Sequence, residues 1–367
     1  MGPLTGLRVV EMAGLGPVPH AAMQLADMGA DVIRVARPGP PAMAELAGAT
    51  DHVLRGRTSV AADLKSAQDR DNVLTLASAA DVLIEGFRPG VMERLGLGPD
   101  VCTGRNVRLV YARMTGWGRH GPLATAAGHD LNYLALTGLL HAIGPQDAPP
   151  PPPLTLVGDY GGGSMFLVTG ILAALWERER SGRGQVVDVA MVDGIGVLAQ
   201  KFWAMRGAGA WREDRHVNLL DGGAPFYDTY PCADGRFVAV AAIERQFFAE
   251  LLNGLGLGSP SGFGDQYDRS AWPRLRESIS RAIAARTRDE WAEVFSGTDA
   301  CVTPVLTLTE ALSHPHAVAR NAFVAIDGLD QPAPAPRFDR TPLPVPAPPG
   351  PDEDGGMSAV LRRWRDG

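Results

Sequence analysis

The sequence predicts an α/β fold, with a Rossmann-like parallel sheet in a large domain and a smaller α+β domain after it. Three observations support this prediction. The chain has 367 residues, which is more than one ordinary hydrophobic core takes up. Short β-branched runs alternate with helical patterns through the first third of the chain, as in βαβ units. Later, FYDTYPCADGRFVAVAA has the pattern of a β-hairpin that turns at Asp234-Gly235.

Five apolar runs in the first third are predicted to be strands buried on both faces. Their sequences are LRVVEMA, DVIRVAR, TSVAADL, DVLIEGF and RLVYARM. The intervening PHAAMQLADMGA and KSAQDRDNVLTLASAA have the pattern of helices. Because ligands bind beyond the carboxyl ends of strands in such sheets, we expect a binding site where the following loops gather.

The remaining segments set the predicted domain bounds. From Asp130 to about Arg206 the pattern is helical, interrupted by the stiff proline-rich connector PQDAPPPPP. The predicted bounds are 1–206 for a large domain, 207–320 for a small domain and 321–367 for a C-terminal segment that returns to the large domain. In this last segment, MSAVLRRWR is expected to form a short helix.

Composition excludes several classes of protein. A formal net charge of −7 leaves no basic surplus for nucleic acid. Three widely spaced cysteines without a CxxC motif suit a reducing compartment. The N-terminus lacks a signal-peptide pattern, and the apolar stretch GSMFLVTGILAALW is too short to span a bilayer. We therefore expect a cytoplasmic protein with neither nucleic-acid nor membrane partners.

Two motif fragments fail to predict a cofactor or metal site. GLGPVPH follows the first predicted strand, but a dinucleotide fingerprint needs a third glycine where Pro19 and His20 stand. His314 and His316 in HPH do not share a helix face, so no metal site is expected.

Three titratable residues stand at the starts of predicted helices. His129 lies in AGHDLNYLALTG, Asp159 precedes three glycines in LTLVGDYGGGSMF, and Glu244 ends an apolar strand in VAVAAIERQFF. Taken singly, His129 and Asp159 fit helix caps, and Glu244 fits a first-turn acid favoured by the helix dipole. No basic residue lies between Gly158 and Trp176, so the glycines do not predict a phosphate loop.

Long stretches around these residues resemble the α-methylacyl-CoA racemases, within the family III CoA-transferase (CaiB/BaiF-type) superfamily. The stretches are GHDLNYLALTGLLHAIG, PPLTLVGDYGGGSMFLVTGILAALWERERSGRGQVVDVAMVDG, DGGAPFYDTYPCADGRFVAVAAIERQFF and GTDACVTPVLTLTEALSHPH. The similarity begins at LTGLRVVEMAG and continues to about residue 325. The resemblance implies a CoA thioester substrate and an interlocked homodimer. It also implies an active site between the large domain of one subunit and the small domain of the other.

The resemblance implies that His129 and Asp159 are the two acid/base groups and that Glu244 supports His129. The chemistry agrees, because inversion at C2 of a 2-methylacyl thioester passes through a flat enolate and needs a proton carrier on each face. No cofactor is expected beyond the CoA of the substrate, since the thioester delocalises the charge. We expect the glycines to clear space for the enolate, and a helix N-terminus after Asp159 to supply N–H groups to its oxygen.

The CoA contacts implied by the resemblance fall on three segments. They are Arg37, then Ala62, Asp63, Leu64 and Lys65, then Gly128, Asp130, Leu131, Asn132 and Tyr133. Arg88 ends a predicted strand, where it can stack on adenine or bind a phosphate; the alternative is an ordinary surface arginine.

Three features depart from the family pattern. Tyr160 stands where phenylalanine is common and Arg245 where proline is common, and PGPPAMAELAGATDHVLRGRT matches poorly at the expected CoA entrance, residues 39–57. Branched fatty, sterol-like and aryl-propionyl acyl groups all fit the sequence.

Two other functions remain alternatives. In a family III CoA-transferase, Asp159 would attack the thioester and carry a covalent acyl intermediate, with no need for His129 or Glu244. A CoA-ester binding protein would need none of the three. The sequence therefore predicts a racemase that interconverts (2R)- and (2S)-2-methylacyl-CoA.

Overall fold

The computed structural model describes residues 2–39, 51–350 and 356–366. In chain order, the strands are β1 (Arg8–Met12), β2 (Asp31–Ala36), β3 (Thr58–Ala61), β4 (Val82–Glu85), β5 (Val110–Thr115), β6 (Val186–Ala190), β7 (Tyr227–Pro231), β8 (Phe237–Ala241), β9 (Val302–Pro304), β10 (Phe323–Ile326) and β11 (Leu329–Pro332). The helices are α1 (Pro17–Asp27), α2 (Ala67–Ala79), α3 (Val91–Arg94), α4 (Pro99–Arg105), α5 (Asp130–Leu136), α6 (Met165–Ser181), α7 (Met191–Leu198), α8 (Gln200–Gly207), α9 (Arg245–Gly254), α10 (Trp272–Ile283), α11 (Arg288–Val294), α12 (Leu308–Ser313), α13 (Pro315–Ala319) and α14 (Gly356–Asp366).

The first six strands form one parallel sheet in the order β3-β2-β1-β4-β5-β6. Its central strands are apolar and covered on both faces, and Val10, Ile33, Leu83 and Tyr111 are fully buried. The predicted α/β fold with a parallel sheet is confirmed. The strand order reverses between β1 and β4, so the loops after these two strands diverge and leave a crevice.

The described residues divide into two units. Unit 1 takes those within Met1–Thr137, Pro153–Gln200 and Pro315–Gly367, and it contains the parallel sheet. Unit 2 takes Gly138–Pro152 and Lys201–His314, and it contains an antiparallel sheet in the order β7-β8-β9. The predicted hairpin is confirmed, because β7 and β8 pair antiparallel around the Asp234-Gly235 turn.

Three segments group differently from the predicted domain bounds, namely residues 138–152, 201–206 and 315–320. Residues 138–152 belong to unit 2, although the sequence places them in the large domain. The guanidinium of Arg215 explains the grouping, because it donates to the carbonyl oxygens of Pro145, Gln146 and Ala148 at 2.9, 3.2 and 2.6 Å.

The helical pattern predicted from Asp130 to about Arg206 is wrong at residues 186–190. Val186–Ala190 is the edge strand β6, which pairs with β5 from Tyr111–Val186 to Thr115–Ala190. Its side chains alternate between exposed and partly buried, as in an edge strand, and its apolar residues run directly into those of helix α7 in the sequence.

The C-terminal helix predicted at MSAVLRRWR is confirmed as α14. Its Met357, Val360 and Trp364 are buried in the core of unit 1. The indole N–H of Trp364 donates to Asp31 Oδ2 at 2.6 Å, and Arg8 donates to the Trp364 carbonyl at 2.9 Å, which fixes the helix beside β1 and β2.

A continuous helical stretch, Leu156–Ser181, is longer than the sequence predicts. It begins with a π-helical segment, Leu156–Ser164, and continues as α6. It has 26 residues and contains an 18-residue window with a mean hydropathy of 1.2, which is the length and composition of a membrane-crossing helix. The shorter apolar stretch predicted from the sequence does not meet this length. Of the 18-residue window, 39% is buried, and the helical stretch packs against α1, α7, β5 and β6.

The π-helical segment approaches α7 closely enough for backbone atoms of the two helices to meet. A Cβ on Gly194 would overlap the Gly162 carbonyl, and a Cβ on Gly162 would lie 2.9 Å from the Ile195 nitrogen. A Cβ on Gly163 would lie 3.0 Å from side-chain atoms of Met191 and of Pro17 in α1. Glycine at these positions therefore lets the two helices approach each other.

This contact predicts opposite effects for two glycines of the same helix. Gly194→Ala should destabilise the protein by about 1–3 kcal/mol, because the methyl group forces the helices apart. Gly196 has open space around its Cβ position, so Gly196→Ala should be neutral or stabilising by up to about 1 kcal/mol. Urea denaturation measures both, and equal effects would contradict the proposed backbone contact.

Candidate active site

A cavity of about 450 Å³ opens in unit 1 at the carboxyl ends of β1, β4 and β5. Its walls are the loops after those strands together with residues from α5, α7 and the π-helical segment. They include residues 14–18, 86–89 and 114–117, and Gly128, His129, Tyr133, Asp159 and Met191. The cavity occupies the switch point of the sheet, where the β1 and β4 loops diverge.

Asp159 lies half-buried in the π-helical segment, with its carboxylate beside the loop after β1. A Cβ on Gly16 would lie 2.6 Å from Asp159 Oδ2, and Gly16 has a φ of +67°. Only glycine suits both the backbone conformation and the closeness of the carboxylate. Burial raises the pKa of Asp159 to about 6, with a further contribution from the Asp130 charge, while His129 acts in the opposite direction.

Asp130 fixes the backbone that carries Asp159. Its buried Oδ1 accepts a hydrogen bond from the Asp159 nitrogen at 2.7 Å. A Cβ on Gly158 would overlap this carboxylate, so the glycine before Asp159 makes room for it. The sequence predicts Asp130 as a CoA contact but does not predict this bond, because no local pattern joins residues 29 positions apart.

His129 faces the same cavity from the start of α5. It is the N-cap residue, and its backbone N–H donates to Asn132 Oδ1 at 3.0 Å. The exposed imidazole lines the cavity and interacts electrostatically with Asp159, whose pKa it lowers. The structure thus brings together His129 and Asp159, which the sequence places in separate segments.

An aromatic pair supports the turn before His129. The rings of Trp117 and Tyr133 meet edge to face at 4.7 Å, and the Tyr133 hydroxyl donates to the Gly128 carbonyl. A Cβ on Gly128 would lie 2.8 Å from Tyr133 and 3.0 Å from Trp117, so glycine is required for this packing. Gly128 and Tyr133 therefore help to position His129.

Arg88 lies exposed on the cavity wall, in a loop held by buried charges. The Phe87 nitrogen donates to Glu85 Oε2 at 2.8 Å, and Arg113 donates to Glu85 Oε1 at 3.2 Å. Burial raises the pKa of Glu85, opposed by these two donors. Glu85 and Arg113 are not among the predicted site residues, although a charged residue inside each of two apolar strands is a signal that could have identified them.

The other predicted CoA contacts occupy neighbouring loops. Arg37 is exposed directly after β2, and Ala62 is buried directly after β3. Asp63, Leu64 and Lys65 form the turn before α2, where Asp63 Oδ1 accepts from the Lys65 nitrogen at 3.0 Å. In the described part of the chain, these five residues do not line the cavity. Part of the expected entrance, residues 39–57, lies outside the described residues.

Leu131 and Asn132 belong to the exposed face of α5. Glu244 lies in unit 2 as the exposed N-cap of α9, where its carbonyl accepts from the Phe248 nitrogen at 2.9 Å. Its charge adds to burial in raising the pKa of Cys301. The support of His129 by Glu244 stays a prediction.

Two expectations about the glycine run are wrong. Gly161, Gly162 and Gly163 face α7 and α1 instead of the cavity, so they do not clear space for an enolate. The helix begins at Leu156 instead of near Ser164, and the Tyr160 nitrogen already donates to the Thr155 carbonyl at 3.2 Å. The N–H group directly after Asp159 is therefore occupied.

Known proteins match the chain over nearly its whole length. The profile of the family described as CoA-transferase family III matches residues 4–355. An alpha-methylacyl-CoA racemase of Mus musculus is 47% identical over 98% of this chain and 93% of its own; one of Homo sapiens is 44% identical over 92% and 87%. The crystal structure of a CAIB/BAIF family protein from Brucella suis superposes with a TM-score of 0.82 at 26% identity, covering 99% of both chains.

The electrostatics of the site predict opposite pKa changes for two variants. Asp130→Asn keeps an acceptor for the Asp159 nitrogen but removes a negative charge, so the pKa of Asp159 should fall below about 6. It should stay above the ordinary 3.8, because burial is the largest cause. His129→Asn removes the opposing charge and should raise this pKa. Infrared difference titration against Asp159→Asn measures it, and a common direction for both variants would contradict the account.

Proposed function

The chain belongs to CoA-transferase family III, and on this premise we propose that it is a racemase interconverting (2R)- and (2S)-2-methylacyl-CoA thioesters. The observation that carries the proposal is the pair His129 and Asp159 on one cavity at the sheet's switch point. Two similar proteins, from mouse and human, are named alpha-methylacyl-CoA racemase, which supports the same activity here.

The proposed reaction needs two proton carriers and no cofactor. One group removes the proton from C2, and the electron pair moves to the thioester oxygen to give an enolate. The other group donates a proton to C2 from the opposite face, and the first group keeps the proton that it removed. Each positioned group typically contributes about 10²–10⁴-fold to the rate.

The raised pKa of Asp159 suits this exchange of roles. A general acid/base is most effective when its pKa lies near the working pH, and about 6 is much closer to neutrality than the ordinary 3.8. With one proton shared between His129 and Asp159, either residue can act first, so both epimers can serve as substrate. As the pH falls through 6, Asp159 becomes protonated and loses its capacity as a base.

Charge and loop placement support a CoA ester as the substrate. Arg88 is exposed on the cavity wall, and the bond from Phe87 to Glu85 holds its loop in place. Arg37 and Lys65 follow β2 and β3 at the same end of the sheet. We assign the phosphates of CoA to this basic side, with the acyl group directed toward His129 and Asp159.

We also propose a homodimer in which Glu244 of the small α+β domain, unit 2, approaches His129 of the other subunit. Three mutually contacting elements of unit 1, namely α5, the π-helical segment and α7, carry exposed apolar side chains. They are Leu131, Leu136, Leu156, Val197 and Leu198, which are 41–65% exposed. Such a surface is typical of a subunit interface. A carboxylate bonded to the far nitrogen of His129 would fix its tautomer.

Proton exchange tests the activity directly. Incubation of a 2-methylacyl-CoA in D₂O should place deuterium at C2 and interconvert the epimers without an acceptor acid. Mass spectrometry and chiral chromatography measure the two changes. Asp159→Asn and His129→Ala should each abolish racemisation while CoA-ester binding, followed by calorimetry, is retained.

Other outcomes would support the alternatives. Transfer of CoA to a free carboxylate without exchange at C2 would indicate a CoA-transferase that uses Asp159 as nucleophile. Binding with neither reaction would indicate a CoA-ester binding protein. Near-normal turnover in either variant would contradict the two-base assignment.

Sedimentation equilibrium tests the dimer. The wild-type chain should have about twice the monomer mass of 38.8 kDa. Leu136→Glu combined with Val197→Glu should shift it toward the monomer, because the interface would bury unpaired charges. The control Val107→Glu changes an exposed residue outside these elements and should leave the mass unchanged. A wild-type monomer would contradict the proposal.

A further inference from the structure

His20 is a half-buried residue that the proposed reaction does not use. It lies in α1, outside the cavity wall, and packs against the π-helical segment that carries Asp159. Its Nδ1 lies 2.7 Å from Ser164 Oγ, and its ring stacks on Tyr160 with centroids 4.2 Å apart and an interplanar angle of 16°. One imidazole thus contacts both the neighbour of Asp159 and the last residue of the segment.

The π-helical segment needs such external contacts. π-Helical turns are rare and poorly stabilised alone, and they are frequent at functional sites. Here the Tyr160 nitrogen bonds to the Thr155 carbonyl at 3.2 Å, five residues back, and four of the nine residues are glycine. The segment would relax to an ordinary α-helix unless neighbouring elements fixed its register. That relaxation would rotate Asp159 relative to Gly16.

We propose that His20 is a positioning residue, which clamps Tyr160 and Ser164 so that the Asp159 carboxylate stays beside Gly16 and faces the cavity. The inference rests on the proposed function for its catalytic consequence. Tyr160 offers a flat ring for stacking, and Ser164, which is fully buried, offers a hydroxyl with no access to water.

The charges around His20 favour a neutral ring. Burial lowers the pKa of His20, and the cations of Arg55 and Arg57 lower it further. These cations are themselves paired, Arg55 with Asp27 at 2.6 Å and Arg57 with Glu11 at 2.7 Å. Asp130 and His129 face Asp159 from α5. A neutral imidazole at pH 7 keeps the stacking and the Ser164 bond without adding a third cation.

Three variants test the clamp. His20→Phe keeps a ring on Tyr160 but loses the bond to Ser164, and Ser164→Ala removes the same bond from the other side with little change in volume. His20→Asn is the rescue variant, because its amide can occupy the place of Nδ1. For each we would measure kcat and KM for exchange at C2, and the pKa of Asp159 by infrared titration.

We expect kcat to fall by about 10²-fold in His20→Phe and Ser164→Ala, the order of loss caused by a misplacement of about 1 Å, with KM within about twofold of wild type. The pKa of Asp159 should fall from about 6 in both, because the carboxylate becomes more solvated. His20→Asn should restore most of both values.

The titration does not depend on the reaction, so it separates the two proposals. If the wild type showed no exchange but the pKa of Asp159 were lowered in His20→Phe and Ser164→Ala, the racemase proposal would be overturned. The proposed positioning role of His20 would then be supported. An unchanged pKa and unchanged kcat in Ser164→Ala and in folded His20→Phe would overturn the clamp.

Discussion

The hydrogen bond from the Asp159 nitrogen to the buried carboxylate of Asp130 is the interaction on which the site depends. Asp130 directly follows His129, so one bond of 2.7 Å ties the start of α5 to the segment that carries the other proton carrier. The same carboxylate helps to raise the pKa of Asp159. A single buried acid therefore fixes the backbone of Asp159 and adds to the effect of burial on its pKa. Its removal by a substitution without an acceptor would leave a buried N–H unpaired, at a cost of about 1–3 kcal/mol.

The glycines of the site allow close packing and do not clear space for a substrate. Gly158 makes room for Asp130 and Gly16 for the Asp159 carboxylate, whereas Gly162 and Gly194 bring two helices into backbone contact. The glycine run thus packs the segment that carries Asp159 against α7 and α1 and does not line the cavity. Such packing fixes the π-helical register from one side, and α1 contacts the segment from another, through Pro17 and His20.

The sequence predicts the parallel sheet, because five apolar runs alternate with helices, and it identifies His129 and Asp159 through resemblance to a family. It misses β6, whose pattern merges with the next helix. It also misses the supporting roles of Asp130, Glu85 and Arg113. Asp130 binds the backbone of Asp159, 29 residues away, and Arg113 binds Glu85, 28 residues away. Glu85 also accepts from the nearby Phe87 nitrogen, at the end of its own strand. Tertiary contacts decide these roles, and the sequence signals only that a charged residue lies inside each of the two apolar strands β4 and β5. The position of the helix start, Leu156 instead of Ser164, is likewise set by packing against α5 and α7.

The central claim is that Asp159 and His129 each serve one face of C2, and exchange without inversion tests it most directly. Each epimer would be incubated separately in D₂O with Asp159→Asn and with His129→Ala, and deuterium at C2 would be followed by mass spectrometry. The account predicts that each variant exchanges one epimer only, and that the two variants exchange opposite epimers. Exchange of both epimers by one variant, or of the same epimer by both, would contradict the assignment of one residue to each face.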